Sequence, residues 1–275
     1  LLPNFLVIGA PRCGTTWIDE NLRRHPDIYM PAKKELHFFD RHYGLGIEHY
    51  EASFAGWNGE KAVGEATPDY LHGLYASHGQ DVAALIAKHL PGVKLIVSLR
   101  NPVDRAYSHF LNVKAKHEHN LDLTFEEKLR KVRGGAEIIR EGFYAEHLSR
   151  YYALFPRESI LVLLYDELVA DPKAFLERIY RFLEVDPSFD SPAIDARINM
   201  AVGKKHLARS RPLWYLSRAL SRLDAHRLSE RLRRLNARPA PQMSGETRRM
   251  LIDIYREANK ELERLIGRDL SHWSA

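Results

Sequence analysis

The residues FLVIGAPRCGTTW, 5 to 17, carry an apolar run into a glycine-rich turn and then into a helix-forming segment. Such a turn offers backbone N–H groups at the positive end of a helix dipole, where anions bind. Gly9, four residues and Gly14 match the opening of the phosphate loop G-x-x-x-x-G-K-[ST]. The lysine of that pattern is replaced by Thr15, and Thr16 follows. The cation is instead Arg12, inside the loop. In nucleotide-binding loops the lysine reaches the β- and γ-phosphates and the hydroxyl holds Mg²⁺. A loop without it serves a triphosphate poorly. It better suits a single 5′-phosphate joined to a leaving or transferred group. Arg12 can then lie against the bridging oxygen, with the Thr15 and Thr16 hydroxyls on the phosphate.

A second segment, LIVSLRNPVDRAYSHF at 95 to 110, has the residues for a separate anion. Arg100 follows a strand-like run, and Ser108 falls two turns into a helix that Pro102 opens. Ligands of open α/β sheets bind outside the carboxyl ends of the strands, which puts Arg100 at the edge of the first loop. A guanidinium fork and a hydroxyl suit a second phosphate. The plain alternative is an Arg100–Asp104 salt bridge with Ser108 on the helix surface.

Together these segments resemble the sulfotransferases that use 3′-phosphoadenosine-5′-phosphosulfate (PAPS). APRCGTTW is similar to the family's 5′-phosphosulfate loop, with Arg12 where many members have Lys, and LRNPVDRAYSHF is similar to its 3′-phosphate motif. HPDIYMPAKKELHFFD and VGEATPDYL look like segments of the heparan-sulfate-type and related bacterial branch. Weaker similarity runs through GFYAEHLSRYYALFP and ILVLLYDELVADPKAFLERIYRFL, so that the resemblance covers roughly residues 4 to 185. It implies a P-loop-kinase-like sulfotransferase fold and PAPS as donor, with no metal required. It also implies donor contacts from Arg12, Cys13, Gly14, Thr15, Thr16, Trp17, Arg100 and Ser108. A basic loop near Lys204, Lys205 and Arg209 would close over the 3′-phosphate. The acceptor would attack sulfur in line and expel the 5′-phosphate, and a cation on the bridging oxygen would stabilise the growing charge.

The attacking hydroxyl must lose a proton. Glu65 in GEATPDYL is the first candidate base, because the matching glutamate of the heparan-sulfate-type branch has that role. Ala66 stands where that branch commonly has Lys. His37 in KELHFFD is the second candidate, since imidazole transfers protons near neutral pH. Its plain reading is a histidine hydrogen-bonded in a half-buried loop beside Phe38 and Phe39. Lys34 and Glu35 either order that loop or touch the acceptor. Cys13 reads as a small packing residue, because sulfuryl transfer has no use for a thiolate.

These residues need an α/β scaffold to hold them. Phe5–Ile8, Lys61–Ala66, Lys94–Leu99 and Ser159–Leu164 read as strands. Gly14–Arg24, Asp81–Leu90 with Asp81 as N-cap, a helix from Pro102 capped by Asn101, Tyr144–Leu154 and Pro172–Leu183 read as helices. The alternation predicts a central, mostly parallel sheet with flanking helices. Beyond Asp186 the pattern becomes helical: Leu213–Leu235, a break at Arg238–Pro241, then Ser244–Ile266. This part, about 187–275, is expected to pack on a single domain spanning 1–275. The basic run from Arg218 to Arg238 has leucines at helical spacing. It reads as an amphipathic helix with its charges in water, and contact with a membrane surface or anionic acceptor is the alternative.

Composition bounds the rest. The 275 residues are 45% hydrophobic and 28% charged, enough for a real core, with a net charge of +5 that suits an anionic ligand. The lone Cys13 excludes an intramolecular disulfide and favours a reducing, cytoplasmic setting. No apolar run approaches the ~20 residues that span a bilayer. The first residues form no signal-peptide pattern. No nucleic-acid motif occurs, and none of the 14 histidines has convincing metal-ligand spacing with partners. The reading is sulfuryl transfer from PAPS to a hydroxyl, or an amine, of a small-molecule or glycan acceptor. A carbohydrate or glycoconjugate is preferred over a lipid or natural product. The rival classes are a nucleotide kinase, which needs the missing lysine, and a nonenzymatic anion-binding module. The acceptor and oligomeric state stay open.

Overall fold

The structure is a computed structural model and describes residues 1–73, 79, 81–116, 123–130, 132–195, 206–208, 210–222, 225–239 and 242–274. The chain forms two compact units. The first comprises Leu1–Asn101, Phe143–Met200 and Arg256–Ala275, and the second Pro102–Gly142 and Ala201–Tyr255.

The first unit is built on five parallel strands. In chain order its elements open with β1 (Phe5–Gly9), α1 (Thr15–Leu22), β2 (Ile28–Tyr29), α2 (Ile47–Ala52) and β3 (Ala62–Ala66). They continue with α3 (Val82–His89) and β4 (Lys94–Leu99). The chain then enters the second unit with α4 (Pro102–Lys116), α5 (Phe125–Arg130) and α6 (Val132–Arg140). It returns with α7 (Tyr144–Tyr152), β5 (Ile160–Leu164), α8 (Tyr165–Ala170) and α9 (Pro172–Leu183). The second unit resumes with β6 (His206–Ala208), α10 (Arg211–Arg222), α11 (His226–Leu235), β7 (Ala237–Pro239) and the start of α12 (Gly245–Ile266).

The strand order is β2-β3-β1-β4-β5, every pair parallel. Parallel strands joined by helices bury both faces, which is why these strands read as near-continuous apolar runs. Alternation divides them. Leu6, Ile8, Leu95, Val97 and Leu99 enter one core with Tyr144, Leu148 and Trp273. Phe5, Val7, Ile96 and Leu163 enter the other with Trp17, Phe175, Leu176 and Ile179. From β1 the chain crosses to the edge strand β2 and returns to β3 beside β1, then builds on the other side through β4 and β5. The order reverses between β1 and β4, where such sheets bind ligands at their carboxyl ends.

The expected strands and helices are present with small shifts at their ends. Asp81 caps α3 by accepting the Ala83 N–H at 2.9 Å. The C-terminal part departs from expectation. The expected helical region Leu213–Leu235 is two helices, α10 and α11, so the run Arg218–Arg238 is not one amphipathic helix. Ala237–Pro239, overlapping the expected break at Arg238–Pro241, is a strand antiparallel to His206–Ala208. Three-residue strands paired across some thirty residues of chain leave no local periodicity to read.

Packing between β1 and β3 depends on one glycine. Phe5 pairs with Gly64 across the strands, and its fully buried ring lies over the position a Gly64 side chain would take. Gly64→Ala is therefore expected to overpack the core and lower stability by about 1–3 kcal/mol, measured by denaturant unfolding. Wild-type stability would show that the ring has room to move.

Candidate active site

The turn after β1 is held from several sides. Arg12 has φ 72° and Gly14 φ 88°, both in the left-handed region. Gly14 requires this: a Cβ there would also lie 2.8 Å from Leu168 Cδ2. The Ser98 hydroxyl donates to the Cys13 carbonyl at 2.7 Å, tying the turn to β4. The Tyr144 hydroxyl donates to the Arg100 carbonyl at 3.0 Å and lies 3.8 Å from Cys13 Sγ. One tyrosine thus fixes both the turn and the residue after β4.

Of the residues expected to touch a ligand through this turn, not all offer side chains. Cys13 is buried and gives its N–H to the Ala10 carbonyl at 3.2 Å. Trp17 is turned into the core, its ring edge-on to Phe175 and its Nε1 donating to the Ile194 carbonyl at 3.2 Å. What it can present is the backbone N–H, which like those of Thr15 and Thr16 has no partner within the helix. Thr15 is buried and Thr16 half-buried.

Arg100 is 9% exposed, and its guanidinium lies 4.5 Å from the centre of the Tyr165 ring. Among the described residues no carboxylate pairs with it. Asp104, its plain-reading partner, belongs to Arg248 at 2.6 Å. Arg12 loses basicity chiefly through burial and further through the charge of Arg100, with Glu35 acting in the opposite sense. A buried cation, Arg100, and a half-buried one, Arg12, therefore share one electrostatic neighbourhood at the switch point. Ser108 is buried on α4, in the second unit. Lys204, Lys205 and Arg209 lie outside the described residues.

Glu65 occupies the core side of β3, 2% exposed. Its Oε2 accepts from the Thr67 hydroxyl at 2.7 Å and its Oε1 from the Tyr50 hydroxyl at 3.3 Å, and Tyr70 also bonds to it. Burial raises the carboxyl to about 7 against the opposing pull of those three hydroxyls. The loop carrying His37 joins the same network. The His37 N–H donates to Thr67 Oγ1 at 3.3 Å, and the Phe38 N–H to the Tyr70 hydroxyl at 2.9 Å.

His37 stands between two carboxylates, 2.8 Å from Asp40 through Nδ1 and 3.5 Å from Glu35 through Nε2. Burial lowers its basicity, but hydrogen bonds to Asp40 and Glu35 outweigh it and raise the imidazole to about 9. Glu35 is drawn down to about 2, mainly by His37 and against its own burial, with help from Lys34. His37 and Glu35 both have left-handed backbones, φ 53° and φ 60°. With Arg12 they make three of the described non-glycine residues in this sparsely populated region, each costing of order 1–3 kcal/mol. Tyr50, Thr67, Tyr70, Tyr144 and Tyr165 were not assigned from sequence. Thr67 and Tyr70 lie within GEATPDYL, two and five residues after Glu65. The others are distant in the chain and carried no signal.

Fold and turn together define an α/β protein of the phosphate-loop type, with the glycine-rich turn and Arg100 at the carboxyl edge of the sheet. The sulfotransferase domain matches residues 2–204, and the chain belongs to the sulfotransferase family. It is thus an enzyme of the sulfotransferase class. It is 28% identical to human heparan sulfate glucosamine 3-O-sulfotransferase 6 over 275 residues, covering 97% of this chain and 72% of the relative. It is 38% identical to the membrane-associated sulfotransferase kil1 of Dictyostelium discoideum over 112 residues, 40% of this chain and 22% of that protein. The chain also spans 64% of mouse heparan sulfate glucosamine 3-O-sulfotransferase 3B1, so several of these relatives are much longer. The crystal structure of a sulfotransferase from Alicyclobacillus acidocaldarius superposes with a TM-score of 0.73 at 28% identity, covering both chains completely.

The His37 arrangement has a measurable consequence. A histidine raised from its usual 6.5 to about 9 adds stability that is fully present below pH 6.5 and lost as pH rises through about 9. Titration of the His37 ring protons by NMR is expected to give a midpoint near 9. Asp40→Asn should move it down toward the ordinary value. A midpoint near 6.5 in the wild type would remove the charged bridge.

Proposed function

We propose that the protein transfers a sulfuryl group from PAPS to a hydroxyl of a carbohydrate or glycoconjugate, with Glu65 as general base. The observation that carries this is Glu65 itself. A carboxyl held near 7 within the unit that bears both arginine loops is poised to take a proton at neutral pH. Preference for a sugar hydroxyl follows from the heparan sulfate glucosamine 3-O-sulfotransferases among the relatives. A cytoplasmic setting belongs to the same proposal, on the strength of the lone cysteine. No helix among the described residues is long and apolar enough to cross a membrane.

The residues present fit such a donor. The turn offers first-turn amides and the Thr15 and Thr16 hydroxyls to a phosphate. Arg100, buried and without a carboxylate partner among the described residues, is assigned with Ser108 to the 3′-phosphate. Bound PAPS would supply an activated sulfuryl group whose departure leaves negative charge on the 5′-phosphate. Arg12 faces that charge, and its backbone conformation fixes it in advance. Thr67, Tyr50 and Tyr70 orient the Glu65 carboxylate. His37, protonated at neutral pH, is a poor base there and is given the role of ordering the Lys34–His37 loop through Glu35 and Asp40. Lys204, Lys205 and Arg209 keep their proposed place over the 3′-phosphate, and no metal is assigned a role. A nucleotide kinase would instead need the lysine that Thr15 replaces.

Glu65→Gln preserves shape and removes the proton acceptor. Turnover is expected to fall by about 10²–10⁴, while calorimetry shows adenosine 3′,5′-bisphosphate binding unchanged. In the wild type kcat/KM should rise with pH through about 7, and this limb should vanish in the variant. An unchanged limb would assign it to another group.

The arginines should separate. Arg12→Ala is expected to reduce turnover far more than bisphosphate affinity, because the charge it meets develops during transfer. Arg100→Ala should weaken bisphosphate binding by roughly 1.5–3 kcal/mol and Ser108→Ala by about 1. Equal affinity for adenosine 5′-phosphosulfate and PAPS in both wild type and Arg100→Ala would sink the 3′-phosphate assignment, and preference for ATP would favour the kinase.

A further inference from the structure

Net charge is concentrated in one stretch. Residues 211–238 contain eight arginines against Asp224 and Glu230, a net +6. The whole chain has 41 basic and 36 acidic residues, a net +5, so everything outside this stretch sums to −1. The same stretch forms the helical hairpin α10–α11.

This hairpin turns part of its apolar residues outward, although Trp214, Leu220 and Leu232 are half-buried. Helices of a soluble hairpin normally hide leucines and show serines. Here Ser217 and Ser229 are buried, and the Ser229 hydroxyl donates to the Ser217 carbonyl at 2.7 Å, joining α10 to α11. Leu213, Leu216, Leu228 and Leu235 are instead 37%, 49%, 48% and 70% exposed, and Tyr215 52%. Leu213 and Leu216 are three apart on α10; Leu228 and Leu235 are seven apart on α11, so each pair shares a face. Arg218, Arg231, Arg233 and Arg234 are exposed, and none has a carboxylate partner among the described residues. Arg218 rests on the Trp214 ring, 4.8 Å from its centre.

We propose that the α10–α11 hairpin docks on an anionic membrane surface. The charge and the leucines must be met by one occupant. A second copy of the chain would bring the same net +6 against this one and be repelled. A soluble polyanion would engage the arginines and leave the leucines in water. An anionic bilayer meets both, with headgroup phosphates against the arginines and the acyl boundary against Leu213, Leu216, Leu228, Leu235 and Tyr215. The contact is peripheral, because neither helix is long or apolar enough to cross. This inference uses no residue assigned to the catalytic or donor-binding site and stands apart from the proposed reaction.

The test is flotation of the full chain with unilamellar vesicles containing phosphatidylglycerol, against vesicles of phosphatidylcholine alone. Binding is expected only to the former and should weaken with salt. Arg233→Glu with Arg234→Glu should reduce it by at least fivefold for each arginine, at about 1 kcal/mol per surface cation. Leu216→Ser with Leu228→Ser and Leu235→Ser should reduce it about tenfold or more, with salt dependence retained. Circular dichroism and thermal unfolding check that both variants stay folded. No vesicle binding, or binding that neither variant alters, overturns the proposal. So does heparin binding without vesicle binding, which makes the patch a polyanion site. Self-association that the leucine variant abolishes, without vesicle binding, makes it an interface between copies.

Discussion

Buried positive charge at the carboxyl edge of the sheet is the constraint around which the first unit is arranged. Arg100 leaves β4 almost fully buried, supported by the face of Tyr165 rather than by a carboxylate among the described residues. A buried ion is tolerated only if something compensates for lost hydration, and an aromatic face does so in part. Arg12 lies close enough for the charge of Arg100 to reduce its basicity. The surrounding sequence fixes these cations. Gly14 permits the turn, Ser98 ties it to β4, and Tyr144 fastens it to the Arg100 carbonyl. For the proposed anion this geometry would be preorganised, set in advance by the folding of the parallel sheet.

Glu65 answers this arrangement with the opposite logic. Its carboxyl is desolvated, so its proton is retained to about 7, while three hydroxyls stabilise the ionised form enough to keep it accessible near neutrality. His37 obeys the converse rule. Two flanking carboxylates overcome the effect of burial and keep its proton to about 9. Environment therefore reverses the expectation drawn from side-chain type, making the glutamate the better proton acceptor at neutral pH and the histidine a fixed cation. Glu35 connects the two regions, bridging to His37 and acting electrostatically on Arg12.

The second unit follows another principle. Arg105 is fully buried and bonds to Glu141 and the Ile138 carbonyl, and Arg248 pairs with Asp104. These two cations are matched. The hairpin of α10 and α11 departs from this, joining through two serines and leaving leucines and unmatched arginines outward. A surface with both apolar area and unmatched charge of one sign is poorly served by water alone.

Much of the first unit was legible because its signals are local. FLVIG and KLIVSL are apolar runs closed by turn residues, and the displaced Arg12 and strand-end Arg100 can be read from spacing. The two-residue β2 and the β6–β7 pair were not legible, since they are shorter than any period and their pairing is non-local. The sequence by itself determined the α/β class, the order of the phosphate-loop segments and the candidates Glu65 and His37. Only the tertiary structure set the proton affinities of those candidates apart. Proton affinity depends on burial and on partners such as Tyr50 and Tyr70, and the fold brings these to Glu65 from other elements. The structure also decided that the Trp17 ring turns into the core, and that Leu213, Leu216, Leu228 and Leu235 of the basic helices face outward. Periodicity marks a stripe on a helix, but the neighbours that fold against it determine which stripe is covered.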